Sequence, residues 1–79
     1  MYRAVVHGEA VKLLLACSSR ERQSVLRLLE QLESNLFKEG NFQVKDETGR
    51  LQQVIGIAGF LVTYYADHAV KEVRVTEIE

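Results

Sequence analysis

The spacing between apolar residues changes once along this chain, near Gly40, and that change limits the folds open to it. Before it, Val25, Leu28, Leu29, Leu32 and Leu36 recur every three or four residues and share one helical face. After it, β-branched and aromatic residues come in short runs separated by turn residues, as in strands. A chain of 79 residues forms one domain, 1–79, with room for a single small core. At roughly 0.05–0.15 kcal/mol per residue, its expected stability is about 4–12 kcal/mol.

Individual elements follow from local signals. Tyr2 to His7 reads as a first strand, which Gly8 breaks. Glu9 to Cys17 reads as a short helix, with Val11, Leu14 and Leu15 at helical spacing and Glu9 where the helix dipole favours an acid. Ser18 and Glu21 have the spacing of a capping box, so a longer helix is expected to begin near Ser19 and fade near Phe37. Phe42 to Lys45 and Leu51 to Ile57 read as strands joined by the turn Asp46-Glu47-Thr48-Gly49-Arg50. Ala58-Gly59 predicts a tight hairpin into a strand from Phe60 to Ala66. Asp67-His68-Ala69 turns the chain into a last strand from Val70 to Ile78. There Val73 and Val75 face one way, and Glu72, Arg74 and Thr76 the other. The expected fold is α+β, with two N-terminal helices packed on one face of an antiparallel sheet in the order β-α-α-β-β-β-β.

Charge and cysteine usage narrow the function. Residues 1–40 hold six Lys/Arg and five Asp/Glu, and residues 41–79 hold four and six, so neither half is basic by count. The one cysteine, Cys17, excludes an internal disulfide or a cysteine-based zinc site and reads as a small packed residue. Neither a metal site nor a cofactor is expected, because the two histidines are far apart and no phosphate loop, nucleophile elbow or dinucleotide fingerprint occurs. The opening residues carry no apolar stretch of signal length, and the longest apolar run, Leu13 to Cys17, is too short to span a membrane. A cytoplasmic protein is the expectation.

Five residues are candidates for chemistry, and each has a structural role to weigh beside it. Lys45 and Arg50 could form a phosphate-binding pair across their hairpin, or be solvated charges beside Asp46 and Glu47. Tyr64 and Tyr65 point to opposite faces of one strand, so one is core and the other lies on the open face. An open-face tyrosine can stack on a base or donate a proton, or simply pack with its hydroxyl in water. His68 beside Asp67 is the best titratable candidate, although aspartate in a turn commonly bonds its own backbone. Arg74, with Glu72 and Thr76 on the same face, could hold phosphate or form a cross-strand ion pair.

The element order, together with particular stretches, resembles the RelE/ParE superfamily of bacterial type II toxins, in its short translational-repressor and plasmid-stabilisation branch. The resemblance spans nearly the whole chain. It rests on Tyr2-Arg3-Ala4-Val5-Val6, on Ser19 to Arg22 with the leucine-rich helix, on Asp46 to Arg50 with Gln53-Val54, and on Val62 to Val75. It implies a toxin partnered by an antitoxin. One branch cleaves mRNA at the ribosome without metal, as an mRNA interferase, and another poisons gyrase. On the first branch's pattern, Lys45, Arg50 and Arg74 are expected to contact RNA, and Tyr65 or His68 to transfer protons. Three features differ from that pattern, the first being that members are usually basic and this chain is not. Leu61 stands where active members commonly carry Arg, and Thr76-Glu77-Ile78-Glu79 supplies acids where they commonly carry Arg, His or Tyr. These differences keep open the alternative of a catalytically degenerate or gyrase-directed protein that acts by binding alone, and a homodimer through a sheet edge is a further possibility.

Overall fold

In a computed structural model of the chain, residues 2–34 and 41–79 are described. The order is β1 (Arg3–Val6), α1 (Gly8–Ala16), α2 (Ser19–Ser34), β2 (Phe42–Lys45), β3 (Leu51–Ile57), β4 (Phe60–Asp67) and β5 (Glu72–Ile78). The expected extension of α2 through Leu36 to Phe37 lies outside the described residues.

The helix junction forms as its spacing predicts. The Glu21 N–H donates to Ser18 Oγ at 3.2 Å, and Glu21 Oε1 accepts the Ser18 N–H at 3.0 Å. These bonds to Ser18 hold the Glu21 carboxyl below its ordinary pKa, the backbone bond contributing most. Arg22, one turn into α2, reaches back over the end of α1. Its guanidinium donates from Nε to the Leu14 carbonyl at 2.8 Å and from Nη2 to those of Leu15 and Cys17, each at 3.1 Å. The open carbonyls that any helix end leaves are thus bound by a cation, the sign the helix dipole prefers there.

The five strands form one sheet in the order β1-β5-β4-β3-β2. The sheet is mixed, which corrects the expectation of an antiparallel one: β1 pairs with β5 in parallel, with Arg3 opposite Glu72 and Val6 opposite Val75. The cause is the route of the chain. The two helices carry it from β1 to the far edge, and the meander β2-β3-β4-β5 then walks back. Its last strand arrives beside β1 running the same way. β5 begins at Glu72 rather than Val70, because Lys71 takes a positive φ of 54° that ends any extended run and leaves Val70 exposed in the turn. At the other tight hairpin, Ala58 and Gly59 both have positive φ, at 52° and 84°.

The core lies between the helices and one sheet face. Ala10 and Leu14 of α1 and Val25, Leu28, Leu29 and Leu32 of α2 pack on Ile55, Val62, Tyr64, Val73, Val75 and Ile78. The opposite face is less open than the alternation suggested. Val54 is buried there between its register partners Phe42 and Thr63. Gln52 is buried too, with both ends of its amide used: Nε2 donates to Asp46 Oδ2 at 3.1 Å, and Oε1 accepts from Thr76 Oγ1 at 2.7 Å. Leu51, by contrast, is exposed near the start of its hairpin. The two sheet edges also differ. On β1, the Ala4 N–H donates to Glu33 Oε2 of α2 at 2.7 Å, whereas every residue of β2 is exposed. Among the described residues no helix is long and apolar enough to cross a membrane.

Candidate functional site

Where β3 begins and β4 ends, the sheet and the end of α2 enclose a pocket of about 250 Å³. Leu32, Leu51, Ala66 and Val73 supply apolar wall. Arg50, Gln53, Tyr64, Tyr65 and His68 supply the polar groups, and no carboxylate is among the lining residues. Three of the five sequence candidates, Arg50, Tyr65 and His68, therefore meet at one place.

Each arrives by a different local rule. Asp46 holds the β2–β3 turn by accepting the N–H groups of Thr48 and Arg50 on Oδ1, each at 2.9 Å, and the Thr48 hydroxyl at 2.6 Å. The Thr48 hydroxyl is the largest reason that its carboxyl stays below the ordinary pKa, followed by the backbone bonds from Arg50 and Thr48 and the Gln52 amide. Gly49, at φ 84°, closes the turn. Arg50 leaves that turn with its guanidinium carbon 4.3 Å from the centre of the Tyr65 ring, a cation–π stack. Tyr64, the neighbour of Tyr65, faces the other way into the core, and burial pushes its hydroxyl pKa upward. Both tyrosines therefore line the pocket, Tyr64 from the core side and Tyr65 beside Arg50.

His68 sits in the β4–β5 turn, and its partner is not the adjacent aspartate. Its Nδ1 lies 2.6 Å from the hydroxyl of Tyr2, and the two rings meet edge to face with centroids 5.6 Å apart. Asp67 serves the turn and the sheet instead: Oδ1 accepts the Ala69 N–H at 3.2 Å, and Oδ2 lies 3.4 Å from Arg74 Nε.

Arg74 and Lys45 stand apart from the pocket. Arg74 is the register partner of Tyr65, but its guanidinium lies between Asp67 and Glu72, with Nη2 3.1 Å from Glu72 Oε1. Glu72 is also 3.9 Å from Arg3, so this part of the sheet face is close to charge balance. Lys45 is opposite Leu51, not Arg50, and lines a separate open depression with Asp46, Glu47 and Glu77. The two cations of the hairpin do not form a pair. Among the described residues, no group of three or more His, Cys, Asp or Glu is placed to hold a metal ion.

The sequence reading missed Tyr2, Gln52 and Thr76. Tyr2 and His68 are 66 residues apart and meet only through the parallel β1–β5 pairing. Gln52 and Thr76 meet across the sheet. The one available signal was an amide beside apolar positions in a strand.

No protein-family model matches the sequence, and no curated protein matches it. A solved structure does resemble this one: a chain of the archaeal RelE–RelB complex from Pyrococcus horikoshii OT3 aligns over 99% of this chain and 92% of its own, with a TM-score of 0.80 and 15% identity. This chain is therefore similar in fold to a protein of that complex.

Proposed function

We propose that this chain is the toxin of a type II toxin–antitoxin pair and inhibits translation by cleaving mRNA at the ribosome. The observation that carries the proposal is the Arg50–Tyr65 stack at a pocket lined without carboxylates, on a fold similar to a protein of a RelE–RelB complex. A stacked aromatic ring and a guanidinium are what a splayed nucleotide needs: a surface for the base and a charge for the phosphate.

In the proposed reaction the 2′-oxygen of the RNA attacks the adjacent phosphorus and the bond to the 5′-oxygen breaks. Arg50 stabilises the charge that builds on the phosphoryl oxygens. A base takes the 2′-hydroxyl proton, and an acid returns one to the departing 5′-oxygen; these roles are proposed for Tyr65 and His68, which both line the pocket. Neither metal nor cofactor has a part in the scheme. The antitoxin is proposed to reach the exposed edge of β2, where a strand can add, since Glu33 already occupies an outward N–H of β1.

A second reading has its own observation. Arg74 is committed to Asp67 and Glu72, and Leu61 stands where the resemblance implies a cation. The first leaves less free positive charge beside Tyr65, the second removes a cation from the other end of β4, and both favour a degenerate or gyrase-directed protein that acts by binding alone.

Induced expression in a bacterial host, with pulse incorporation of labelled amino acid and thymidine, separates the readings. Rapid loss of protein synthesis, abolished by Arg50→Ala and Tyr65→Ala in soluble folded variants, supports the toxin. Loss of DNA synthesis first points to gyrase. Normal growth with abundant soluble protein removes the catalytic reading.

A further inference from the structure

We infer that Tyr2 is a positioning residue that holds the His68 imidazole at the pocket and fixes its tautomer, so that Nε2 carries the proton and neutral His68 acts as a donor. The inference rests on the reading of that pocket as an RNA-cleavage site only for its consequence in catalysis. The positioning itself stands on geometry.

The parallel β1–β5 pairing brings Tyr2 to the β4–β5 turn: Arg3 is opposite Glu72, and the Arg3 N–H donates to the Lys71 carbonyl at 3.1 Å. The Tyr2 ring packs against the core, while its hydroxyl lies 2.6 Å from His68 Nδ1. The backbone around His68 is fixed on both sides, by the Ala69 N–H bond to Asp67 Oδ1 and by the Arg3–Lys71 bond. Asp67, the neighbour that would ordinarily orient a histidine, has its other oxygen beside Arg74. An exposed imidazole in a turn is thus restrained by a tyrosine 66 residues away.

Elementary chemistry sets the direction of the bond. A phenol is a good donor, and its oxygen is a weak acceptor because the ring draws on its lone pair, whereas a neutral imidazole nitrogen is a strong acceptor. The Tyr2 hydroxyl therefore donates to Nδ1, and the ring proton resides on Nε2. The nitrogen left for a ligand in the pocket is a donor, suited to a phosphoryl oxygen or a departing 5′-oxygen. His68 would accordingly act as the acid of the reaction rather than the base that takes the 2′-hydroxyl proton: as Nε2 gives its proton to the departing 5′-oxygen, the Tyr2 hydroxyl proton passes to Nδ1, so the ring stays neutral and the charge rests on the Tyr2 phenolate.

Long-range proton–nitrogen NMR on histidine-labelled protein, above the titration range of the imidazole, tests the tautomer without any activity. The expected result is an unprotonated Nδ1 and a protonated Nε2 for His68. In Tyr2→Phe, which keeps the ring, the His68 signals are expected to move toward those of a free imidazole in tautomer exchange. A proton on Nδ1 in the unmodified protein, or His68 signals that do not respond to Tyr2→Phe, overturns the inference. In cleavage of a model RNA by the translating ribosome, Tyr2→Phe is expected to lose about tenfold. The double variant with His68→Ala should then be no worse than His68→Ala alone, because one residue acts through the other. A double variant clearly worse than that overturns the role of Tyr2 through His68. If His68→Ala costs no activity, the catalytic consequence is overturned, and the NMR result alone decides the positioning.

Discussion

Replacing Arg22 with alanine tests the physical account of how the two helices are joined. The guanidinium makes three bonds to carbonyls at the end of α1, at 2.8, 3.1 and 3.1 Å. A hydrogen bond to a charged group contributes about 1.5–3 kcal/mol when shielded, but a surface cation at a helix end only about 0.3–1 kcal/mol. Arg22 lies between these cases, because its side chain is half-buried and the carbonyls it leaves can regain water. The worked expectation for Arg22→Ala is a loss of about 2 kcal/mol, a large share of the roughly 4–12 kcal/mol available to a domain of this size. At roughly 4–8 °C per kcal/mol, the melting temperature falls by about 8–16 °C. Lysine keeps the charge but cannot fork across three carbonyls, so Arg22→Lys should recover half of the loss or less. Urea unfolding followed by far-ultraviolet circular dichroism measures both variants, with an unchanged denaturant slope as the sign that only stability moved. A loss for Arg22→Ala under about 0.5 kcal/mol refutes the claim that these bonds hold the junction. A lysine variant as stable as the parent shows that charge alone matters and refutes the geometric part.

Three further outcomes follow from particular residues. Leu32, 1% exposed, joins the core to the pocket wall, so Leu32→Ala should cost about 2–5 kcal/mol in chemical denaturation and also weaken binding of a labelled RNA oligonucleotide. Ala58 has positive φ in a two-residue hairpin that asparagine prefers, so Ala58→Asn should raise stability by about 1 kcal/mol in the same denaturation assay. Asp46 has a lowered pKa, so its contribution to the β2–β3 turn is complete above the ordinary carboxylate value and is lost as pH falls through the lower folded one. Amide exchange at Thr48 and Arg50 should therefore lose protection in that acid range, and Asp46→Asn should remove the pH dependence.

What the sequence disclosed depended on how far apart the interacting groups lie. The capping box joins residues three apart, and the Asp46–Arg50 turn joins residues two to four apart, so both were legible from spacing. The face of α2 and the burial of one tyrosine of the adjacent pair follow from period alone. The parallel placement of β1 was not legible, because nothing local distinguishes a strand that adds beside the last one from a strand that starts a meander. The site suffered most from this. The partner of His68 is decided by that parallel pairing, and the Asp67–His68 neighbours suggested by the sequence have separate partners. Arg50 over Tyr65 likewise depends on the β3–β4 register, which places Gln53 opposite Tyr64 and so brings the start of β3 level with the end of β4.

The same contacts rank the cations that sequence treated as equals. A cation serves a phosphate only if it is not already neutralised and can aim at the place where the phosphate sits. Lys45 borders a depression with three carboxylates, from Asp46, Glu47 and Glu77. Arg74 lies within ion-pair distance of two, those of Asp67 and Glu72. Arg50 forms no ion pair among the described residues, and it lies on an aromatic ring that fixes its plane while leaving its charge available. A protein with about as many acids as bases can still present a local anion site, because binding responds to the charges within about one Debye length rather than to the sum over the chain. The measurable consequence is an asymmetry. Arg50→Ala should remove most of the affinity for a labelled RNA oligonucleotide, while Lys45→Ala leaves it nearly unchanged. Asp67→Asn together with Glu72→Gln should raise it by releasing Arg74 beside Tyr65. Equal losses from Arg50→Ala and Lys45→Ala would instead mean that RNA senses only the net charge of the hairpin, and the pocket would have no special claim on it.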